Sequence, residues 1–496
     1  NDFMKRYLIG LDNGGTSVKA ALFDEDGNQV YVAQRKLQVI TPEPGFMERD
    51  LEDLWQKNVE CLKEIVQCSG VSVTAMKGLS FSGHGKGLYL LDKAGRPLGN
   101  GILSMDQRAR NIVEEWDNEG ISDKVFTKTY QKVQEAQPVA LLQWMKRHAR
   151  DIYDQIGTVM AVKDYIRYCL SNKRNGEYTD FSGSNLIDFK TRSYSRELLR
   201  LFGIEEIYDA LPPLVSSTTL CACVSDEAAI LCDLPAGLPM AAGMFDVDAC
   251  SIGCGMLNPS QLTMIAGTWS INVFIIDHLI ENKSVMFQSF YALPEYTLVE
   301  ESSATSCGNL EWIMKEMLGL DDYQECNEIV SSNEPHLDDI IYLPFLYGSN
   351  EGNLNACFAN MRSYHQRSHI LRAVYEGVAF AHKRHLQRLL KNRSTPRAIR
   401  IAGGIIHSDI WLQIFADILQ IPLEVVANEE FGTQGAAICV GVATGIYHSY
   451  EDAVGKNVHI AKTITPNTFY KDVYEAKYKQ YLQLIYGLQK GAMTNV

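Results

Sequence analysis

No stretch of this chain is long and apolar enough to cross a bilayer, because glycine, aspartate or histidine interrupts each apolar run short of the roughly 20 residues a spanning helix needs. Positive charge is scarce too. Sixty acidic side chains against 46 basic ones give a net charge of -14 and a pI near 5.3, which excludes the basic face of a nucleic-acid binder. The opening residues, NDFMKRYLIGLD, lack a basic segment followed by a long apolar core, so no secretory signal is expected. The twelve cysteines do not fall into metal-site spacing: CAC at 221–223 and CSIGC at 250–254 have no second ligand pair. Reduced thiols in a cytoplasmic protein are the expectation.

What is present is ordinary globular material. At 496 residues with 46% hydrophobic content the chain suits two or three packed domains. YLIGLD and SVKAALFD read as buried strands, DEDGN as the turn after them, and QVYVAQRKLQVI as a third strand. A helix is expected after Asp50, with Trp55, Val59, Leu62 and Val66 on one face and Gly70 closing it. MKGLSFSG then returns as a strand, so the fold class expected is α/β with a mixed sheet. The second half repeats the opening: GTSVKAALFD from Gly15 has a counterpart in GTWSINVFIID from Gly267. Later, RIAGGIIHSDIWLQIFADILQIP reads as strand, Gly-Gly turn and helix, and HILRAVYEGVAFAHKRHLQRLL as a packed helix.

Two places carry polar groups that a packed core does not require. In DNGGTS, Gly14 and Gly15 permit close backbone approach, Thr16 and Ser17 offer donors, and Asp12 is placed to hold a hydrated magnesium ion. The spacing is not that of a Walker loop, and a strand rather than a helix follows it, which rules out a Rossmann fingerprint. Taken alone the bend is in most proteins a plain hairpin. In PMAAGMFDVDACSIGCG an apolar strand ends at Phe245, and Asp246 follows among small residues. Asp246 is either a general base for a hydroxyl proton or the N-cap of a helix.

Taken together, LDNGGTSVK, FDVD, AGTWS and AGGIIHSDIWLQIFADILQIP make the chain resemble a carbohydrate kinase of the FGGY family. GFMERDLEDLW, FSGHGKGLYLLDKAGRPLGNGILSMDQRA, VKDYIRYCLSNKRNGEYTDFSGSNLIDFKTRSYS, SCGNLEW, YLPFLYGSN, LRAVYEGVAFAH and TQGAA extend the likeness over nearly the whole length, in family order. The resemblance implies two similar RNase H-like lobes of the actin/hexokinase/Hsp70-like fold around a cleft, divided at 1–245 and 246–496. It implies Asp246 as catalytic base, with Asp12 and Asp246 as the carboxylates nearest magnesium. Gly14, Gly15, Thr16 and Ser17 fall on a first phosphate segment, Gly267 and Thr268 on a second, and Gly403, Gly404 and Ser408 on the adenosine segment. His84, Gly85, Lys86, Asp106 and Arg108 fall on sugar contacts. The cofactors implied are ATP and Mg2+; the partners are a small sugar or sugar acid, with a homodimer left open.

The chain departs from the family in three places. Phe245 and Val247 flank Asp246 where many members have a polar neighbour, Leu141 stands where lysine is usual, and ANMRSYHQRSH lacks a signature glycine. Within the family, SGHGKGLYLLD, LGNGILSMDQRA and MFDVD look most like L-xylulose/3-keto-L-gulonate kinases. Lys86 suits a carboxylate or carbonyl end of the acceptor, or else it points to solvent. Kinases for D-xylulose, ribulose or a polyol are the neighbouring alternatives. A sugar sensor without catalysis would lack the base, and an actin-like or chaperone-like switch would need further surfaces.

Overall fold

The computed structural model describes residues 4–493, and the chain forms two compact units. The first comprises residues 1–257, 276–298 and 430–458; the second comprises 258–275, 299–429 and 459–496.

In the first unit, Tyr7–Asn13, Ser17–Asp24 and Gln29–Lys36 form the antiparallel meander expected from their alternation. The helix Leu51–Cys68 covers it. Asp50 caps that helix by accepting from the Asp53 amide, and Gly70 follows with a positive φ. Its buried stripe, including Leu54, Leu62 and Ile65, joins Leu22, Ala20 and Ile9 of the sheet in one core. The chain re-enters the sheet through Met76–Gly83, parallel to the first strand, and Met244–Phe245 then pairs parallel to Met76–Gly83. Three parallel strands therefore end side by side, at Asn13, Gly83 and Phe245. The helix Phe431–Ala443 returns late in the sequence to pack on the first strand and on the helix Asp246–Gly253.

The second unit repeats this plan. Leu262–Ala266 and Ser270–Ile276 are an antiparallel pair, with Thr297–Ser303 next in the sheet. Ile399–Ala402 lies parallel to Leu262–Ala266, and Leu423–Val426 lies parallel to Ile399–Ala402. The repeat suspected from the two Gly-Thr turns is thus present in strand order: each turn joins an antiparallel pair whose first strand has a parallel neighbour on its other side. The long helix Arg367–Leu389 and the helix Asp409–Leu419 pack together beside this sheet. No helix among the described residues is long and apolar enough to cross a membrane.

Candidate active site

In parallel α/β sheets, functional groups gather beyond the carboxyl ends of the strands, where the backbone turns away and leaves space. In the first unit the strand register does this directly. Asp12 lies opposite Ser82, Asn13 opposite Gly83, and Phe245 also opposite Gly83. The residues that continue each strand are then the DNGGTS bend, His84-Gly85-Lys86 and Asp246, so the structure assembles three of the predicted segments at one edge. The His84 amide donates to the Asn13 carbonyl at 3.0 Å. A Cβ at Gly85 would come 2.4 Å from the Phe245 ring, so only glycine lets the His84-Gly85-Lys86 loop lie against the strand that precedes Asp246.

Asp246 is the first residue of its helix; the N-cap position belongs to Phe245, whose side chain makes no capping bond. Asp246 therefore occupies the first turn of the helix and not its N-cap position. Asp12 is half-buried, with Oδ1 enclosed and accepting no hydrogen bond. Burial pushes its carboxyl above the ordinary range, while the Ser82 hydroxyl and, after it, nearby Lys19 pull it down. A Cβ at Gly432 would sit 2.9 Å from Asp12 Oδ2, so the glycine makes room for the carboxylate. Asp12 and Asp246 both act on the Cys250 thiol and, with burial, hold it protonated.

Among the described residues no three His, Cys, Asp or Glu side chains form a ready metal cage. Magnesium does not need one, because it keeps several waters and is held by one or two carboxylates together with substrate phosphates. An enclosed carboxylate oxygen without a donor, as on Asp12, fits such an ion.

The other predicted sugar contacts are engaged within the protein. His84 is buried: Nδ1 lies 3.0 Å from the Gly85 carbonyl and Nε2 lies 2.7 Å from the Tyr89 hydroxyl. A carbonyl only accepts, so Nδ1 carries the proton and Nε2 accepts from Tyr89. Burial lowers the imidazole pKa to about 4, which keeps it neutral. Asp106 accepts from the Met47 amide and, through both oxygens, from Arg108, which also reaches Glu48 and lies over Phe46. This pair stiffens the loop wall. Lys86 is half-buried and has φ 58, a left-handed conformation a lysine rarely adopts.

In the second unit, Leu262–Ala266 runs into Gly267-Thr268 and Ile399–Ala402 runs into Gly403-Gly404. The two turns touch through their backbones: a Cβ at Gly403, whose φ is +97°, would meet the Ala266 carbonyl at 2.6 Å. Cys307 donates its amide to the Gly267 carbonyl at 2.8 Å. Ser408 caps the helix Asp409–Leu419 by accepting from the Trp411 amide, and donates to Asn327.

Several supporting residues escaped sequence reasoning. Arg49 is fully buried beneath the DNGGTS bend and donates to the carbonyls of Gly14 and Gly15. Thr179 Oγ1 accepts the Phe245 amide at 3.0 Å, fixing the residue before Asp246. Thr179 is itself held by Glu177, in a buried cluster with Lys163, Asp164, Arg167 and Asp180. In the second unit, His382 bridges Asn272 and Ser306 through its two nitrogens, tying the strand that leaves the Gly267 turn to the segment that bonds it. The only sequence signal for these was charge or histidine inside otherwise apolar segments such as VKDYIRYCL and VAFAHKRHL.

Comparison with known proteins gives matches over nearly the whole chain. The N-terminal domain model of the FGGY family of carbohydrate kinases matches residues 7–253, and its C-terminal domain model matches residues 262–444. The L-xylulose/3-keto-L-gulonate kinase of Escherichia coli (strain K12) is 38% identical over 98% of both chains. A protein named "Probable L-xylulose kinase" from Pasteurella multocida (strain Pm70) is 36% identical over 97% of this chain and 99% of its own. The crystal structure of xylulose kinase from Rhodospirillum rubrum superposes with a TM-score of 0.88 at 25% identity, covering 98% of this chain and 99% of that one. The chain belongs to the FGGY family of carbohydrate kinases and is a sugar kinase that uses ATP.

Proposed function

We propose that this kinase phosphorylates a terminal hydroxyl of a ketopentose or keto sugar acid, with L-xylulose or 3-keto-L-gulonate as acceptor. The observation that carries the reading is the meeting of Asp12, the His84-Gly85-Lys86 loop and Asp246 at the ends of three adjacent parallel strands. The names of the most similar relatives support the choice of acceptor. In the reaction the acceptor oxygen attacks the γ-phosphorus in line, the bond to ADP breaks, and Asp246 takes the hydroxyl proton. Within the Gly14–Ser17 bend the backbone amides of Gly15 and Thr16 hold phosphoryl oxygens, and Gly267 with Thr268 forms a second phosphate segment. Gly403, Gly404 and Ser408 belong to the adenosine segment. Magnesium, held through water by Asp12 with Asp246 nearby, would neutralise charge on the phosphates.

On this reading residues 1–245 carry the sugar contacts and the first phosphate segment, and residues 246–496 carry the second phosphate and adenosine segments. Lys86, held in a left-handed conformation between two glycines, is the cation for the carboxylate of a sugar acid, and Asp106 and Arg108 stiffen the wall beside it. The use of ATP, together with twelve cysteines that form no disulfide, supports action in the cytoplasm. The test is ADP release over a panel of ketoses, polyols and sugar acids. L-Xylulose or 3-keto-L-gulonate should give the highest kcat/KM, and Asp246→Asn should lower kcat by about 10²- to 10⁴-fold. An unchanged kcat in that variant would exclude Asp246 as the base.

A further inference from the structure

Arg49 presents an anomaly. It is 0% exposed, yet it forms no ion pair with a carboxylate among the described residues. Its Nη1 and Nη2 donate to the Gly14 and Gly15 carbonyls, and Nε has no partner. Burial pulls the guanidinium below its usual pKa; Tyr89 partly offsets this, and Asp53 acts on it only weakly. A buried cation without a counter-charge is expensive, and proteins normally pair it. Here the unpaired cation lies under a bend whose other face is exposed at Gly15 and Thr16.

Peptide geometry makes the placement informative. In a trans peptide the carbonyl of one residue and the amide of the next point in opposite directions. Drawing the Gly14 and Gly15 carbonyls inward onto Arg49 therefore turns the amides of Gly15 and Thr16 outward. The Gly14 amide, by contrast, is used inside the bend, donating to Ser17 at 3.0 Å. The two outward amides are the groups a phosphoryl oxygen needs, and the charge below adds to their partial positive charge.

We propose that Arg49 is the positioning residue of the first phosphate turn, aiming the Gly15 and Thr16 amides outward and holding a positive charge that the bound polyphosphate, not a protein carboxylate, balances. The inference rests on the reading of this bend as a phosphate segment.

The test compares Arg49→Met, Arg49→Lys and Thr16→Val in the full chain, with KM for MgATP measured at saturating sugar and KM for sugar measured at saturating MgATP. Arg49→Met should raise the MgATP KM about tenfold or more and shift the sugar KM less. Arg49→Lys should recover part of that loss, since it returns the charge without the planar fork. A merely structural role would lower the unfolding midpoint and leave the MgATP KM alone, so an unchanged MgATP KM in both Arg49 variants overturns the inference. If only Thr16→Val raises that KM, the bend remains a phosphate segment and Arg49 alone is excluded. If Thr16→Val is also without effect, neither the buried cation nor the hydroxyl of the bend acts on the nucleotide, and the Arg49 inference falls.

Discussion

Single residues at this site combine stability with chemistry, and His84 shows how the two separate with pH. Its folded pKa is lowered to about 4 against an ordinary 6.5, so below pH 6.5 the unfolded chain binds a proton the native imidazole refuses. Stability supplied by neutral His84 is present above that pH and is lost as the pH falls toward 4. Glu177 works in the opposite direction. Burial raises its carboxyl to about 7, so between its ordinary 4.5 and 7 the native state holds the extra proton and gains stability on acidification. Asp180, raised by burial to about 6 in the same cluster, adds to the Glu177 side, so wild-type stability should not fall from pH 7 to 5. His84→Gln removes one side of the balance: relative to wild type it should gain about 2 kcal/mol over that interval, measured by urea unfolding at each pH. A constant difference between the two proteins would show that His84 is protonated in the native state. Lys86 is argued at the same scale. Lys86→Met should raise KM for 3-keto-L-gulonate about tenfold or more while changing KM for L-xylulose by about twofold or less, and equal changes would remove the carboxylate contact.

Among elements, the strands and helices were legible in the sequence wherever periodicity is local. The meander Tyr7–Asn13, Ser17–Asp24 and Gln29–Lys36, the capped helix after Asp50 and the helix Asp409–Leu419 all fall where alternation, spacing and capping residues put them. The DNGGTS bend was legible because glycines and hydroxyls at a strand end are a local signal. Arg49 and Thr179 were not, because each acts on a segment 34 or 66 residues away in sequence and nothing nearby marks it. The late return of Phe431–Ala443 to the first unit was equally hidden, since a composition change does not accompany it. That helix packs against Asp246–Gly253 through glycine: a Cβ at Gly435 would lie 2.0 Å from the Ala249 carbonyl, a backbone atom with no rotamer to yield. Gly435→Ala should therefore cost about 1–3 kcal/mol by urea unfolding and lower kcat, because the helix it displaces begins at Asp246. Normal stability in this variant would mean the two helices part without penalty.

For the whole molecule, the net charge of -14 and the cation proposed at Lys86 would pull in opposite directions on an anionic acceptor. Distributed surface charge repels a sugar acid over long distances, whereas Lys86, in the role proposed for it, attracts the carboxylate at contact. Salt discriminates between the two. At about 0.15 M ionic strength the Debye length is about 8 Å, so repulsion from carboxylates spread over a 496-residue chain is largely screened already. Attraction inside a half-buried loop is screened later, because solvent ions reach it poorly. Raising ionic strength from 0.15 to 0.5 M should therefore lower kcat/KM for 3-keto-L-gulonate relative to L-xylulose, by about two- to threefold. Both acceptors share the same MgATP, so the ratio cancels the effect of salt on the nucleotide. In Lys86→Met the salt dependence of the ratio should vanish. A ratio that rises with salt would place control of the acid substrate in the molecule's overall negative field rather than in the loop.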